Sequence, residues 1–157
     1  MNKYIDKNLK LTEHFSLSEM CSTSVQTADH NFPSQEVITN LKRLTKWLEM
    51  LRDEWNKRYG DGNDPIIINS GYRSPAVNKA VGGVATSNHL TGCAADIRVL
   101  GNEQLVRYAT ILLDISDNSE EDFDELIVEH NSRTGNYWLH FAVRPKGNRR
   151  KIKFINK

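Results

Sequence analysis

The chain has 157 residues, with 21 Lys and Arg against 20 Asp and Glu, for a net charge of +1. A length of this order suits one domain built around one hydrophobic core, here residues 1–157 as a whole. Near-neutral charge argues against dedicated nucleic-acid binding, which shows as a strong basic excess, and no apolar run approaches the ~20 residues that a membrane-spanning helix needs.

The opening run Met1-Asn2-Lys3-Tyr4-Ile5-Asp6-Lys7-Asn8 carries charges where a signal peptide would be apolar. The expectation is therefore synthesis as a soluble cytoplasmic protein, without membrane insertion. Cys21 and Cys93 are too few for a disulfide scaffold and form no CxxC pair. Both are expected to be reduced, small and at least partly buried.

In chain order, Phe15-Ser16-Leu17-Ser18-Glu19-Met20 predicts a short helix, with Ser16 as N-cap and Glu19 completing a capping box. Residues 28–33 read as a polar loop. A long helix is predicted from Gln35 to Tyr59, because Val37, Ile38, Leu41, Leu44, Leu48, Leu51 and Trp55 recur at spacings of three and four. Gly60 to Pro65 ends it with turn residues. Ile66 to Ser70 is a short β-branched strand, and Ser74-Pro75 opens a helix through Ala80 that Gly82-Gly83 breaks.

A strand from Cys93 to Val99 and an amphipathic helix from Asn102 to Leu113 follow, then an acidic turn from Ser116 to Asp122. Phe123–Glu129 and Tyr137–Val143 read as an antiparallel pair, and Lys151–Ile155 as a final strand. There is no internal repeat. This order predicts an α+β fold, with helices packed on one side of a small antiparallel sheet. The basic run from Arg144 to Lys153 reads as an edge strand guarded by lysines, in preference to an attractor for anionic polymers.

His89, Asp96 and His140 supply two imidazoles and a carboxylate, the donor set with which catalytic zinc leaves one coordination position open. Strand alternation tests whether they can meet. Asp96 shares a face with Ala94, while Cys93, Ala95 and Ile97 take the other. His140 shares a face with Trp138 and Ala142, while Leu139, Phe141 and Val143 point the opposite way. Leu126 and Val128 read as core, which turns Glu125 and Glu129 to the polar side. Neighbouring strands therefore present Asp96, His140 and Glu129 to one cleft, and His89 reaches it from the loop before the strand. Cys93 falls on the wrong face to be a ligand. His130 is opposite Glu129 and expected in solvent, and His14 and His30 are expected to be structural or exposed.

The pattern Ser87-x-His89-x-x-Gly92-x-Ala94-x-Asp96, followed downstream by Trp138-x-His140, resembles the D-Ala-D-Ala carboxypeptidase and L-alanyl-D-glutamate endopeptidase family. These are zinc peptidases of peptidoglycan stem peptides. Asn69-Ser70-Gly71-Tyr72-Arg73-Ser74-Pro75-Ala76-Val77-Asn78 resembles the family's substrate-binding segment, and Phe15-Ser16-Leu17-Ser18-Glu19 resembles the start of its compact, phage- and prophage-associated branch.

The resemblance implies zinc held by His89, Asp96 and His140, and substrate binding by Arg73 and Ser87. A guanidinium fork matches a carboxylate; pairing with Asp96 or capping a turn is the alternative for Arg73. Many members carry an acid three residues before the last ligand, or a His two before it; Tyr137 and Trp138 stand there. Glu129 replaces that acid as the expected base, and a solvated surface charge is its alternative.

The implied protein is a monomeric zinc metallopeptidase, a lysin of phage or prophage type that waits in the cytoplasm until released to the cell wall. An inactive, zinc-stabilised peptidoglycan-binding or tail-structural protein is the second reading. A cytoplasmic D-Ala-D-Ala dipeptidase is the third.

Overall fold

The apolar period between residues 35 and 59 becomes helix α2 (Gln35–Arg58) in a computed structural model, which describes Asp6 and residues 8–157. Most of the charged run Met1–Asn8 lies outside the described residues. The Ser34 hydroxyl caps α2 by accepting from the Val37 N–H at 3.2 Å. Lys57 and Arg58 sit in the last turn, where cations complement the helix dipole. All seven apolar positions of the predicted stripe are buried.

Upstream, β1 (Lys10–Thr12) and β2 (Phe15–Ser16) pair as a two-stranded ribbon. The helix α1 (Leu17–Met20) follows, with Ser16 as N-cap accepting from the Glu19 N–H at 3.1 Å.

The main sheet has the order β3-β4-β6-β5-β7, formed by Ile68–Ser70, Ala94–Arg98, Tyr137–Ala142, Glu125–His130 and Lys151–Asn156 respectively. Short α3 (Pro75–Ala80) and a 3₁₀ turn (Asn88–Thr91) lie between β3 and β4, and α4 (Asn102–Ser119) between β4 and β5. One sheet face, carrying Ala95, Ile97, Leu126, Leu139, Phe141 and Val143, joins α2 and α4 in a single core. Trp47 meets Phe141 at 5.4 Å between ring centres, and Trp55 meets Tyr108 edge-on at 5.0 Å, tying α2 to sheet and to α4. The class is α+β, as the element order implies. Among the described residues no helix is long and apolar enough to cross a membrane.

Two expectations change. The sheet is mixed, because β7 runs parallel to β5. The cause is local: β6 ends with Ala142 beside Glu125, and β7 begins with Lys151 beside the same Glu125. The chain need only step across one strand, and the backbone N–H of Lys151 donates to the Asp124 carbonyl at 2.9 Å to start the new ladder.

Helix α4 also continues past Leu113 to Ser119, absorbing part of the expected acidic turn. Ile115 and Ser116 keep to its buried face. Burying one Ile is worth ~1.5–3 kcal/mol, more than the few tenths that each polar residue there costs in helix propensity.

Candidate metal centre

The face of the sheet away from the helices holds the polar residues that alternation assigns to it. Asp96 on β4 lies directly opposite His140 on β6, and Ile127 on β5 lies opposite the same His140. Glu125 and Glu129 flank Ile127, so both are diagonal neighbours of His140. His89 comes from the 3₁₀ turn, whose N-cap Ser87 accepts from the His89 N–H at 3.1 Å.

Gly92 closes that turn with φ 73°, and an added Cβ would lie 2.9 Å from the Val37 carbonyl, so the turn can seat against α2 only with glycine there.

His89, Asp96 and His140 are each buried, and one ligand atom from each falls within 4.8 Å of the others. His89 Nε2 lies 3.3 Å and His140 Nδ1 3.1 Å from the same Asp96 Oδ1. The outward nitrogens are engaged. His89 Nδ1 is 2.6 Å from the Gly71 carbonyl, which can only accept, so that nitrogen carries the proton. A side chain at Gly71 would strike the Met20 carbonyl, which explains the glycine. His140 Nε2 donates to Glu125 Oε1 at 3.1 Å.

The site attracts positive charge. Burial alone would raise the Asp96 pKa, yet the His89 and His140 imidazoles hold its carboxyl well below the usual carboxylate range. Burial likewise pushes His140 down, but Asp96 and Glu125 outweigh it and carry the imidazole up to about 9. Two imidazole nitrogens facing one carboxylate oxygen, in a field that favours a cation, are donor chemistry that suits zinc.

Arg73 is held over this cluster. Its Nη2 donates to Asp96 Oδ2 at 3.0 Å and its Nε to the Ser70 hydroxyl at 3.0 Å. Its Nη1 reaches Asn78 Oδ1 only at 3.5 Å and is the least committed donor edge. The backbone on both sides of Arg73 is clamped by buried Asn31, whose side chain donates to the Tyr72 carbonyl at 3.1 Å and accepts from the Ser74 N–H at 2.7 Å. Asn31 has φ 54°, a left-handed conformation that Asn tolerates better than most side chains.

A cleft of about 320 Å³ opens over these residues, lined by Arg73, Ser87, His89, Asp96, Glu129 and His140 together with Lys151 and Lys157 of the last strand. Glu129 is buried, and its Oε1 lies 3.3 Å from Lys157 Nζ. The structure thus gathers every residue that the sequence nominated for the site.

Sequence reasoning missed the partners Glu125, Asn88, Asp124, Arg144 and Arg149. Only the alternation that turned Glu125 toward the polar face hinted at them. Elsewhere, Cys93 is buried, with burial pushing its thiol pKa up. His130 is not simply solvated: it stacks on Tyr137 at 4.2 Å between ring centres and pairs with Asn156.

An α+β domain with a buried two-histidine, one-carboxylate cluster at the floor of an open cleft has the makings of a mononuclear metallohydrolase. The chain belongs to peptidase family M15, whose family model matches residues 13–132. At that level it is a hydrolase of a metallopeptidase family acting on peptidoglycan. The match covers His89, Asp96, Arg73 and Glu129 but ends before β6, so His140 joins the cluster from outside the matched stretch. No curated protein matches the chain.

Proposed function

We propose that the protein is a zinc peptidase that hydrolyses amide bonds in peptidoglycan stem peptides, as a D-Ala-D-Ala carboxypeptidase or as an L-Ala-D-Glu or cross-bridge endopeptidase. One observation carries the reading: His89 Nε2 and His140 Nδ1 converge on Asp96 Oδ1 at 3.3 and 3.1 Å in a cleft that Glu129 also lines.

His89, Asp96 and His140 hold the metal. Zinc bound there supplies Lewis-acid chemistry, making water a better nucleophile and polarising the scissile carbonyl. Glu129 takes the proton of the attacking water and returns it to the leaving amine. Its burial limits competition from solvent, and its Oε1 lies 3.3 Å from Lys157 Nζ.

Arg73 first fixes the Asp96 carboxylate and then offers its Nη1 edge to a substrate carboxylate, a group that stem peptides carry in D-glutamate, diaminopimelate and terminal D-alanine. Ser87 holds the 3₁₀ turn at the cleft rim, where its hydroxyl lies beside the incoming peptide. The likeness of Phe15 to Glu19 to the compact phage and prophage branch supports a lysin that acts on the wall.

The test is digestion of purified sacculi with and without zinc, followed by mass spectrometry of the released muropeptides. New amino and carboxyl termini at one stem-peptide bond are expected, and their masses identify it. Absence of release by zinc-loaded wild-type protein, with the free D-Ala-D-Ala dipeptide also left intact, would sink the enzymatic reading in favour of a zinc-stabilised binding protein.

A further inference from the structure

The outward nitrogen of His140 is the start of a largely buried to half-buried hydrogen-bond chain. Glu125 Oε1 accepts from His140 Nε2 at 3.1 Å and from Asn88 Nδ2 at 2.6 Å. The same Asn88 Nδ2 donates to Asp124 Oδ2 at 2.7 Å, and Asn88 Oδ1 accepts from Arg144 Nε at 2.9 Å. Both amide hydrogens therefore meet carboxylates and the amide oxygen meets a guanidinium, which leaves one orientation for the side chain.

Asp124, with no exposed side-chain surface, takes a two-pronged contact from Arg149, with Nε on Oδ1 at 2.9 Å and Nη2 on Oδ2 at 2.7 Å. The chain runs from the cluster to the basic connection between β6 and β7.

We propose that Glu125 is a positioning residue for the metal, and that Asn88, Asp124 and Arg149 hold it in place, so that metal affinity depends on a guanidinium in the basic connection. The proposal rests on the reading of His89, Asp96 and His140 as metal ligands.

The physical case is direct. A carboxylate on the far nitrogen fixes the tautomer and rotation of a ligating imidazole and makes it a better donor. Glu125 does this only if its own oxygen is held against His140, and Asn88 supplies that restraint. Asn88 has two carboxylates to satisfy, and Arg149 offsets the charge that Asp124 would otherwise press on Glu125. Glu125 thereby serves the ligand and leaves Glu129 to face the cleft.

Zinc affinity is measured on the purified full chain by competition with a chromophoric chelator. Glu125→Ala is expected to bind zinc ~100-fold more weakly and Glu125→Gln ~10-fold, the latter keeping an acceptor oxygen without its charge. Asp124→Asn and Arg149→Met weaken binding in the same direction. Arg149→Met leaves Asp124 its contact with Arg144 and serves should Asp124→Asn fail to fold.

Arg150→Met is the control: Arg150 sits in the same connection but pairs with Asp117 and Asp122, outside the chain. Its affinity stays at the wild-type value. Nitrogen and proton chemical shifts of the zinc-loaded protein should show a strongly hydrogen-bonded Nε2–H on His140, which in Glu125→Ala stays protonated but shifts to the position of an N–H bonded only to water, a change that loop destabilisation alone does not produce.

Wild-type affinity in Glu125→Ala overturns the proposal, as does equal loss in Arg150→Met and Arg149→Met. Retention of zinc by His140→Ala sinks the underlying metal reading instead, which keeps the two failures apart.

Discussion

Among the described residues, two groups of three histidine and carboxylate side chains bring a ligand atom of each within 4.8 Å of the others: His89–Asp96–His140 on the sheet, and Glu13–His14–Glu49 beside α2. By residue type both qualify as metal sites. They differ in everything around the donors. In the first, all three residues are buried and each imidazole has its outer nitrogen anchored, to Gly71 and to Glu125. In the second, the Glu13 side chain is 81% exposed, and His14 spends its Nδ1 on Glu49 at 2.9 Å, with Nε2 left 3.8 Å from Glu13. The ribbon cluster is an ordinary solvated ion pair. What makes a site is the set of partners that point donors inward, and those partners come from distant segments.

The sharpest way to break this contrast is metal content. Wild-type protein should hold about one zinc per chain, and His89→Ala, Asp96→Ala or His140→Ala should each remove most of it and lower the melting temperature. Glu49→Gln should leave the stoichiometry unchanged. Elemental analysis decides: full zinc in His140→Ala, or loss in Glu49→Gln, reverses the assignment of the two clusters.

How much of this was legible follows from the same contrast. Helix α2 and the alternation on β4, β5 and β6 could be read because each depends on one continuous segment and a fixed period. The three residues proposed as ligands could be read because two short segments carry them in a recognisable pattern. Asn31, Asn88 and Arg149 could not, because their roles exist only after residues 41, 37 and 25 positions apart are brought together. The basic connection looked like solubility, and the parallel strand like one more antiparallel strand, because neither the Arg149–Asp124 pair nor the step across β5 leaves a local trace. The true end of α4 was missed for a related reason: Ile115 and Ser116 are helical by burial rather than by propensity.

Catalysis gives the next largest effect. Glu129→Gln keeps size and hydrogen-bonding capacity but cannot accept the water proton, so muropeptide release should fall by ~100-fold or more with zinc content intact. Glu49→Gln, the matching change in the other cluster, should leave the rate alone. Near-normal release by Glu129→Gln would send the search for the base to Glu125, whose oxygen is otherwise committed to His140.

Stability comes third. Burial works against the Asp124 carboxylate, but its contacts with Arg149, Asn88 and Arg144 prevail and bring its pKa down to about 2. A folded-state pKa below the unfolded value of ~3.9 stabilises the protein at neutral pH, and that contribution disappears as pH falls from about 4 through 2. Asp124→Asn should cost about 1.5–3 kcal/mol at pH 6, since it takes the charge from a buried acceptor that partly exposed Arg144 and Arg149 hold. Urea titrations at pH 6 and pH 2.5 should show the gap between variant and wild type narrowing in acid; a gap independent of pH would mean that packing, not charge, is lost.

Substrate handling follows. Arg73→Lys keeps the charge but loses the planar fork, so kcat/KM should fall by roughly ten-fold, in line with one charge-assisted contact. A substrate with its carboxylate amidated should lose a similar factor with wild-type enzyme and little more with Arg73→Ala. Additive losses would mean that Arg73 acts only on Asp96 and not on the peptide.

The smallest effect belongs to the ribbon cluster and completes the comparison. His14→Ala removes an ion pair in which His14 is 37% and Glu49 21% exposed, where side-chain entropy and screening consume most of the attraction. A loss of at most ~1 kcal/mol is expected, shrinking in high salt. Zinc content and muropeptide release should stay at wild-type values, because the ribbon touches neither the ligands nor the chain through Glu125. A melting curve that drops as far for His14→Ala as for Asp124→Asn would show that exposure does not separate the two clusters, and burial would lose its place as the reason one of them is a site.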